Sequence, residues 1–150
     1  MDTAIHINPS TSLSGFVIEC TSKRLKQACQ QILKKEGFDI TVDQWVLLYE
    51  LKTNDGLGQN ELARKVFKDP PTVTRIIDLL CKKGYITRNQ DALDRRKFLV
   101  CMTEKGKELI HQVEPVIINF RESAYKGISK KDLHKLNETL GQIFDNLNAI

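Results

Sequence analysis

The sequence predicts a mainly α chain with a small β-hairpin wing, in which a winged helix-turn-helix core is flanked by long helices forming a dimerisation domain. Apolar residues recur at helical spacing near both ends of the chain. Residues 58–106 hold a short helix, a turn, a second helix and then a strand–loop–strand. Basic side chains concentrate in that same stretch.

Composition bounds the class. The chain has 150 residues, 41% hydrophobic and 28% charged, which suits one globular domain with or without extensions. No apolar run approaches the roughly 20 residues of a membrane span. The opening MDTAIHINPSTSLSG lacks a basic n-region and an apolar h-region, so a cytoplasmic protein is expected. The net charge is +4. From Glu61 to Lys107 there are twelve Lys and Arg against six Asp and Glu, whereas the rest of the chain is slightly acidic. A positive field confined to one segment is what a phosphate-facing surface requires.

The elements follow in order. Residues 1–10 are expected to form a flexible arm. Over residues 12–35, Leu13, Phe16, Val17 and Cys20, and then Leu25, Ala28, Cys29, Ile32 and Leu33, trace a long amphipathic helix that stops near Gly37. Thr41 and Gln44 have capping-box spacing at the start of the next helix. That helix is apolar on more than one side, so it belongs at the centre. Asn54-Asp55-Gly56 reads as a turn. Gly58 or Gln59 opens a short helix carrying Leu62, Ala63 and Val66. Asp69 before Pro70 is an N-cap followed by a first-turn proline, and Gly84 closes that helix. Residues 85–88 and 97–102 read as paired strands. Thr103 caps a helix striped by Leu109, Ile110, Val113, Val116, Ile117 and Phe120, with Pro115 expected to kink it. Ser129 opens the last helix. There Leu133, Leu136, Leu140, Ile143, Leu147 and Ile150 repeat at threes and fours as in a coiled-coil seam.

Function is read from two surfaces. On the helix after Asp69, Val73, Ile76, Ile77 and Leu80 share the inward face. Pro71, Arg75, Asp78 and Lys82 share the outward one, with Thr72 and Thr74 beside it. Arg can donate two hydrogen bonds to guanine O6 and N7, and Thr can meet a phosphate or a thymine methyl. Asp78 either orients Arg75 or partly neutralises it. In the hairpin loop, Asp94, Arg95 and Arg96 form a wing whose arginines suit a minor groove, with Asp94 fixing one of them. The outer helices carry more apolar surface than the small core can cover. A second copy of the chain would cover it, and a two-fold dimer matches palindromic double-stranded DNA. Residues 1–35 and 104–150 are therefore expected to form a dimerisation domain, and residues 36–103 a DNA-binding domain.

PTVTRIIDLLCKKGYITR and DRRKFLVCMTEKG carry a resemblance to the multiple antibiotic resistance regulator (MarR) family, which extends over residues 11–147. Thr72, Val73, Thr74 and Arg75 fit the family's opening to the reading helix. Asp94, Arg95, Arg96, Thr103 and Gly106 fit its run from wing to next helix, and QNELA fits the preceding helix. The resemblance implies a homodimer that binds a palindromic promoter site, usually as a repressor, with Arg75 and its Thr neighbours on the bases and phosphates and Arg95 and Arg96 on the wing. It also implies release by a small phenolic or other aromatic effector held between the lobes. Pro71 and Gly58 depart from the family's usual small polar residue and Thr cap.

Other chemistries have thinner support. Cys20 and Cys29 invite a redox-sensing reading, but both lie on an apolar stripe, where a thiol is usually an inert small hydrophobe. His6, His111 and His134 form no metal-ligand spacing, and no catalytic constellation or cofactor motif is present, so no metal, cofactor or enzyme is expected. Phe38, Trp45, Tyr49 and Phe67 are candidates to line an effector pocket, or else plain core. A winged-helix adaptor without DNA binding is the rival reading, which the positive bias around Arg75 disfavours.

Overall fold

The computed structural model describes residues 7–8 and 13–150. His6, most of the expected N-terminal arm and the expected helix start at Ser12 lie outside the described residues. The elements are α1 (Ser14–Lys35), α2 (Val42–Thr53), β1 (Leu57–Gly58), α3 (Gln59–Lys65), α4 (Pro70–Lys82), β2 (Ile86–Gln90), β3 (Phe98–Met102), α5 (Glu104–Ala124) and α6 (Lys130–Asn148). The expected order is present, with β1 as an addition. No described helix is long and apolar enough to cross a membrane.

Helix ends are set locally. Thr41 and Gln44 form a reciprocal capping box at the start of α2, where Gln44 is buried with both its backbone and side chain engaged. Asp69 accepts the Thr72 N–H at 2.9 Å ahead of Pro70. After α1 and α4, Gly37 and Gly84 adopt positive φ in paired 6→1 and 5→2 hydrogen bonds, as a left-handed helix stop requires. The turn between α3 and α4 makes the same pair of bonds, Lys68 N–H to Ala63 and Phe67 N–H to Arg64, but places Phe67 at φ 53°. Phe67 is also 78% exposed, so burial compensates little of the backbone strain. Phe67→Gly is therefore expected to stabilise the fold by about 0.5–1 kcal/mol, read as a higher denaturant midpoint at unchanged slope. A lower midpoint would show that the ring contributes more than its backbone costs.

The sheet has order β1-β3-β2, all antiparallel. Ile86 pairs with Met102 and Arg88 with Val100 on one side of β3, and Leu57 pairs with Val100 on the other. The Asn54–Gly56 turn aims the short strand: Gly56 N–H donates to the Val100 carbonyl at 3.1 Å, and Met102 N–H donates to Asp55 Oδ1 at 2.8 Å.

The chain forms two compact units, Met1–Ile118 and Asn119–Ile150. In the first, one core takes Leu33 from α1, Leu47, Leu48 and Leu51 from α2, Leu62 from α3, Val73, Ile77 and Leu80 from α4, Ile86 and Val100 from the sheet, and Val113 from α5, all fully buried. Thus α1 and the first two-thirds of α5 pack as one body with the winged helix. α5 is continuous through Pro115, whose missing N–H leaves the His111 carbonyl without its usual helical donor. In the second unit, Ser129 and Asp132 cap α6 by mutual hydrogen bonds of 2.6 and 3.1 Å. No residue of α6 is buried, and its seam of Leu136, Leu140, Ile143 and Leu147 is exposed.

Candidate nucleic-acid interface

α4 is positioned by its inward face. Val73, Ile76, Ile77 and Leu80 are buried, so Pro71, Arg75, Asp78 and Lys82 are turned to solvent. Among the described residues, Arg75 and Lys82 make no side-chain hydrogen bond or ion pair, and the charge of Arg75 helps to lower the Asp69 carboxyl. Asp69 is held below the usual carboxylate range by hydrogen bonds from the Thr72 hydroxyl and backbone, so it keeps its capping charge as pH falls toward its lowered pKa.

The two threonines are more committed than their sequence context suggests. Thr72 donates its hydroxyl to Asp69 Oδ2 at 2.7 Å. Thr74 donates to the Pro70 carbonyl at 2.9 Å and accepts from the Gln59 side-chain amide. The Thr74 hydroxyl is thus engaged inside the protein, where it joins α3 to α4. Gln59 is a contributor that sequence reasoning placed only as part of the QNELA helix.

The wing loop is built by its own polar groups. Asp91 N–H donates to the Lys97 carbonyl and Lys97 N–H to the Asp94 carbonyl, each at 2.9 Å. Asp94 Oδ1 accepts the Arg96 backbone N–H at 3.0 Å and its Nε at 3.3 Å. These two bonds, the backbone one foremost, hold the Asp94 carboxyl low, so Asp94 fixes Arg96 while that side chain stays 91% exposed. Gln90 donates to the Arg95 carbonyl at 2.7 Å, and the Arg95 side chain has no partner among the described residues.

Asp78, which the sequence placed to orient Arg75 or partly neutralise it, turns to neither neighbour on its helix. Its Oδ1 accepts from Arg88 Nη2 at 2.5 Å, joining α4 to β2. The adjacent Cys81 thiol is pushed up by burial, with Arg88 pulling the other way. That is the opposite of what a reactive thiolate needs. None of the four cysteines is in a disulfide, and Cys29 is buried.

Two of the four candidate pocket aromatics touch each other. Trp45 is buried and stacks at a tilt on Tyr49 with ring centroids 5.3 Å apart, Phe38 is half-buried, and Phe67 stands in the α3–α4 turn. The first unit holds a cavity of about 360 Å³ between α2 and α5. Its floor is Leu51, Met102 and Ile110, and its rim is Lys52, Asp55, Lys107, His111 and Glu114. Lys52 is held by both oxygens of Glu114 at 2.8 Å. Among the described residues no cluster of His, Cys, Asp and Glu is placed to hold a metal.

The sequence profile of the MarR family matches residues 40–98, which run from the start of α2 to the wing. An uncharacterised HTH-type transcriptional regulator of Bacillus subtilis, YhbI, is 28% identical over 125 residues, covering 82% of this chain and 81% of its own. The structure of Staphylococcus aureus MepR in complex with DNA superposes with a TM-score of 0.81 at 24% identity, covering 90% of this chain and 98% of that one. The structure of Bordetella bronchiseptica BpsR, described by its regulation of DNA binding by 6-hydroxynicotinic acid, gives 0.82 at 21% identity, covering 93% and 98%. The profile match falls on the winged helix and the curated relative is named as an HTH-type regulator, so over residues 40–98 the chain is similar to the MarR family of transcriptional regulators.

Proposed function

We propose that two copies of this chain bind a palindromic DNA site, each inserting α4 into a major groove and laying its wing along the adjacent minor groove, and that the complex represses transcription. One observation carries this reading. Among the described residues, α4 and the wing expose Arg75, Lys82 and Arg95 without side-chain hydrogen bonds or ion pairs, and Arg96 on a fixed support, all on the most basic segment of the chain. Unpartnered guanidinium groups beside a helix N-terminus suit phosphates and guanine edges. The complex of MepR with DNA supports the same use of the fold. Enrichment from a random-sequence duplex pool tests the reading directly. Recovery of an inverted repeat supports it, and a pool that stays random contradicts it.

The second copy is argued from α6. Its apolar seam is uncovered in one protomer, and Phe16 and Ile18 of α1 and Ile118 of α5 are exposed as well. Helical stripes of this kind persist because a partner buries them. Leu140→Glu is expected to weaken self-association by at least about tenfold, since a carboxylate in an apolar seam must be desolvated. Sedimentation velocity checks this. An unaltered mass for the variant would remove the seam from the interface.

A small aromatic effector is the finer part of the proposal, supported by the regulation of BpsR DNA binding by 6-hydroxynicotinic acid. The cavity between α2 and α5 suits such a molecule. It has an apolar floor and a rim with two lysines, and its volume is that of a small-ligand site. A hydroxylated aromatic acid seated there would compete with Glu114 for Lys52. Such acids are expected to raise the thermal midpoint of the unaltered chain and to lose most of that effect in Lys52→Ala. An equal rise in both proteins would place the ligand elsewhere.

A further inference from the structure

We propose that the Asp78–Arg88 ion pair is a positioning device that locks the outward face of α4 to the wing, so that both meet DNA in one register. The inference rests on the DNA-binding reading above. Asp78 lies three residues after Arg75 and four before Lys82, on the same exposed face. A carboxylate there repels phosphate, and pairing along the helix would cancel part of the charge of Arg75 or Lys82. The structure does neither. Asp78 Oδ1 takes the Arg88 guanidinium at 2.5 Å, which offsets the negative charge and leaves Arg75 and Lys82 without an ion pair among the described residues.

Arg88 is well placed to transmit position. In β2, Ile86, Arg88 and Gln90 alternate onto one face, opposite Met102, Val100 and Phe98. Ile86 anchors that row in the core, Arg88 grips α4, and Gln90 holds the Arg95 carbonyl at 2.7 Å. One strand face thus runs from the core through the reading helix to the wing tip. The Arg88 side chain is 32% exposed, and its bond to Asp78 holds its planar head in orientation.

The test compares binding of the full chain to two probes by fluorescence anisotropy. One probe is the duplex that the unaltered chain enriches from a random pool, and the other is a scrambled duplex of equal length. Asp78→Asn removes a negative charge from a DNA-facing helix, so simple electrostatics predicts tighter binding to both. The clamp predicts the opposite sign for the enriched duplex: about three- to tenfold weaker, with the scrambled duplex bound as well as before or better. Arg88→Gln should lower the enriched-to-scrambled ratio similarly, and the double variant no further than either single. Gln90→Ala, which leaves α4 untouched, should lower the ratio too. Circular dichroism confirms that each variant is folded at the assay temperature.

Asp78→Asn that keeps or raises the ratio would overturn the clamp, as would additive losses in the double variant. A loss confined to one base pair in Asp78→Asn, and absent in Arg88→Gln, would make Asp78 a base-reading residue instead. If the unaltered chain enriches no duplex, the DNA reading itself fails and the clamp falls with it.

Discussion

Gly106→Ala is expected to destabilise the fold by about 3 kcal/mol, lowering the thermal midpoint by more than about 5 °C. Gly106 sits in the first turn of α5. A Cβ there would lie 2.2 Å from the Tyr85 carbonyl oxygen and 2.7 Å from Met102 Cγ. The first contact is with backbone, which cannot swing aside as a side-chain tip can. That backbone is also pinned from the other direction. Thr103 N–H donates to the same Tyr85 carbonyl at 3.0 Å, the Thr103 hydroxyl to the Gly84 carbonyl at 2.7 Å, and Lys105 Nζ to the Lys83 carbonyl at 2.7 Å. α5 is therefore seated on the three residues that follow the reading helix, and an added methyl group must push the two apart. Calorimetry on the variant checks the loss. A midpoint within a degree or two of the unaltered chain would show that the helix start can shift at little cost.

Arg75→Ala is expected to weaken binding to the enriched duplex by about 1–3 kcal/mol, roughly five- to 150-fold, and to relax the requirement at one base pair. Its side chain is exposed and has no hydrogen bond among the described residues, so truncation removes no hydrogen bond that they make. Arg96→Ala should behave differently. Held by Asp94 on the wing, it is expected to meet the backbone, so its loss should weaken all sequences alike and reduce the salt slope by about 0.9 for each phosphate contact removed. Anisotropy titrations across salt concentration separate the two. Equal effects of Arg75→Ala on enriched and scrambled duplexes would deny it a role in reading bases.

What could be read from the sequence was local. Thr41 with Gln44, Asp69 with Pro70, and Gly84 after Lys83 are signals within four residues of where they act, and each acts as its chemistry implies. The two faces of α4 followed from its periodicity, because burial of Val73, Ile76, Ile77 and Leu80 fixes the rotation of everything else on the helix. The rest depends on register or on contacts across space. β1 is two residues long and exists only as a partner of β3, so no run of strand-forming residues announces it. The Gln59–Thr74 and Asp78–Arg88 bonds join residues 15 and 10 positions apart and depend on how α3 and β2 settle against α4. Gly106 matched a family motif, but its reason, the nearby Tyr85 carbonyl, appears only once the hairpin has returned the chain to α4. The cavity between α2 and α5 has no signature at all, since its walls come from α2, the following turn, β3 and α5.

The claim beneath the whole account is that α4 and the wing of two protomers face one duplex. Native mass spectrometry of the unaltered chain with its enriched duplex measures this directly. The expected species is two chains on one duplex whose half-sites lie about one helical turn, roughly 10 base pairs, apart. A single chain per duplex, or a bound duplex without an inverted repeat, would contradict it.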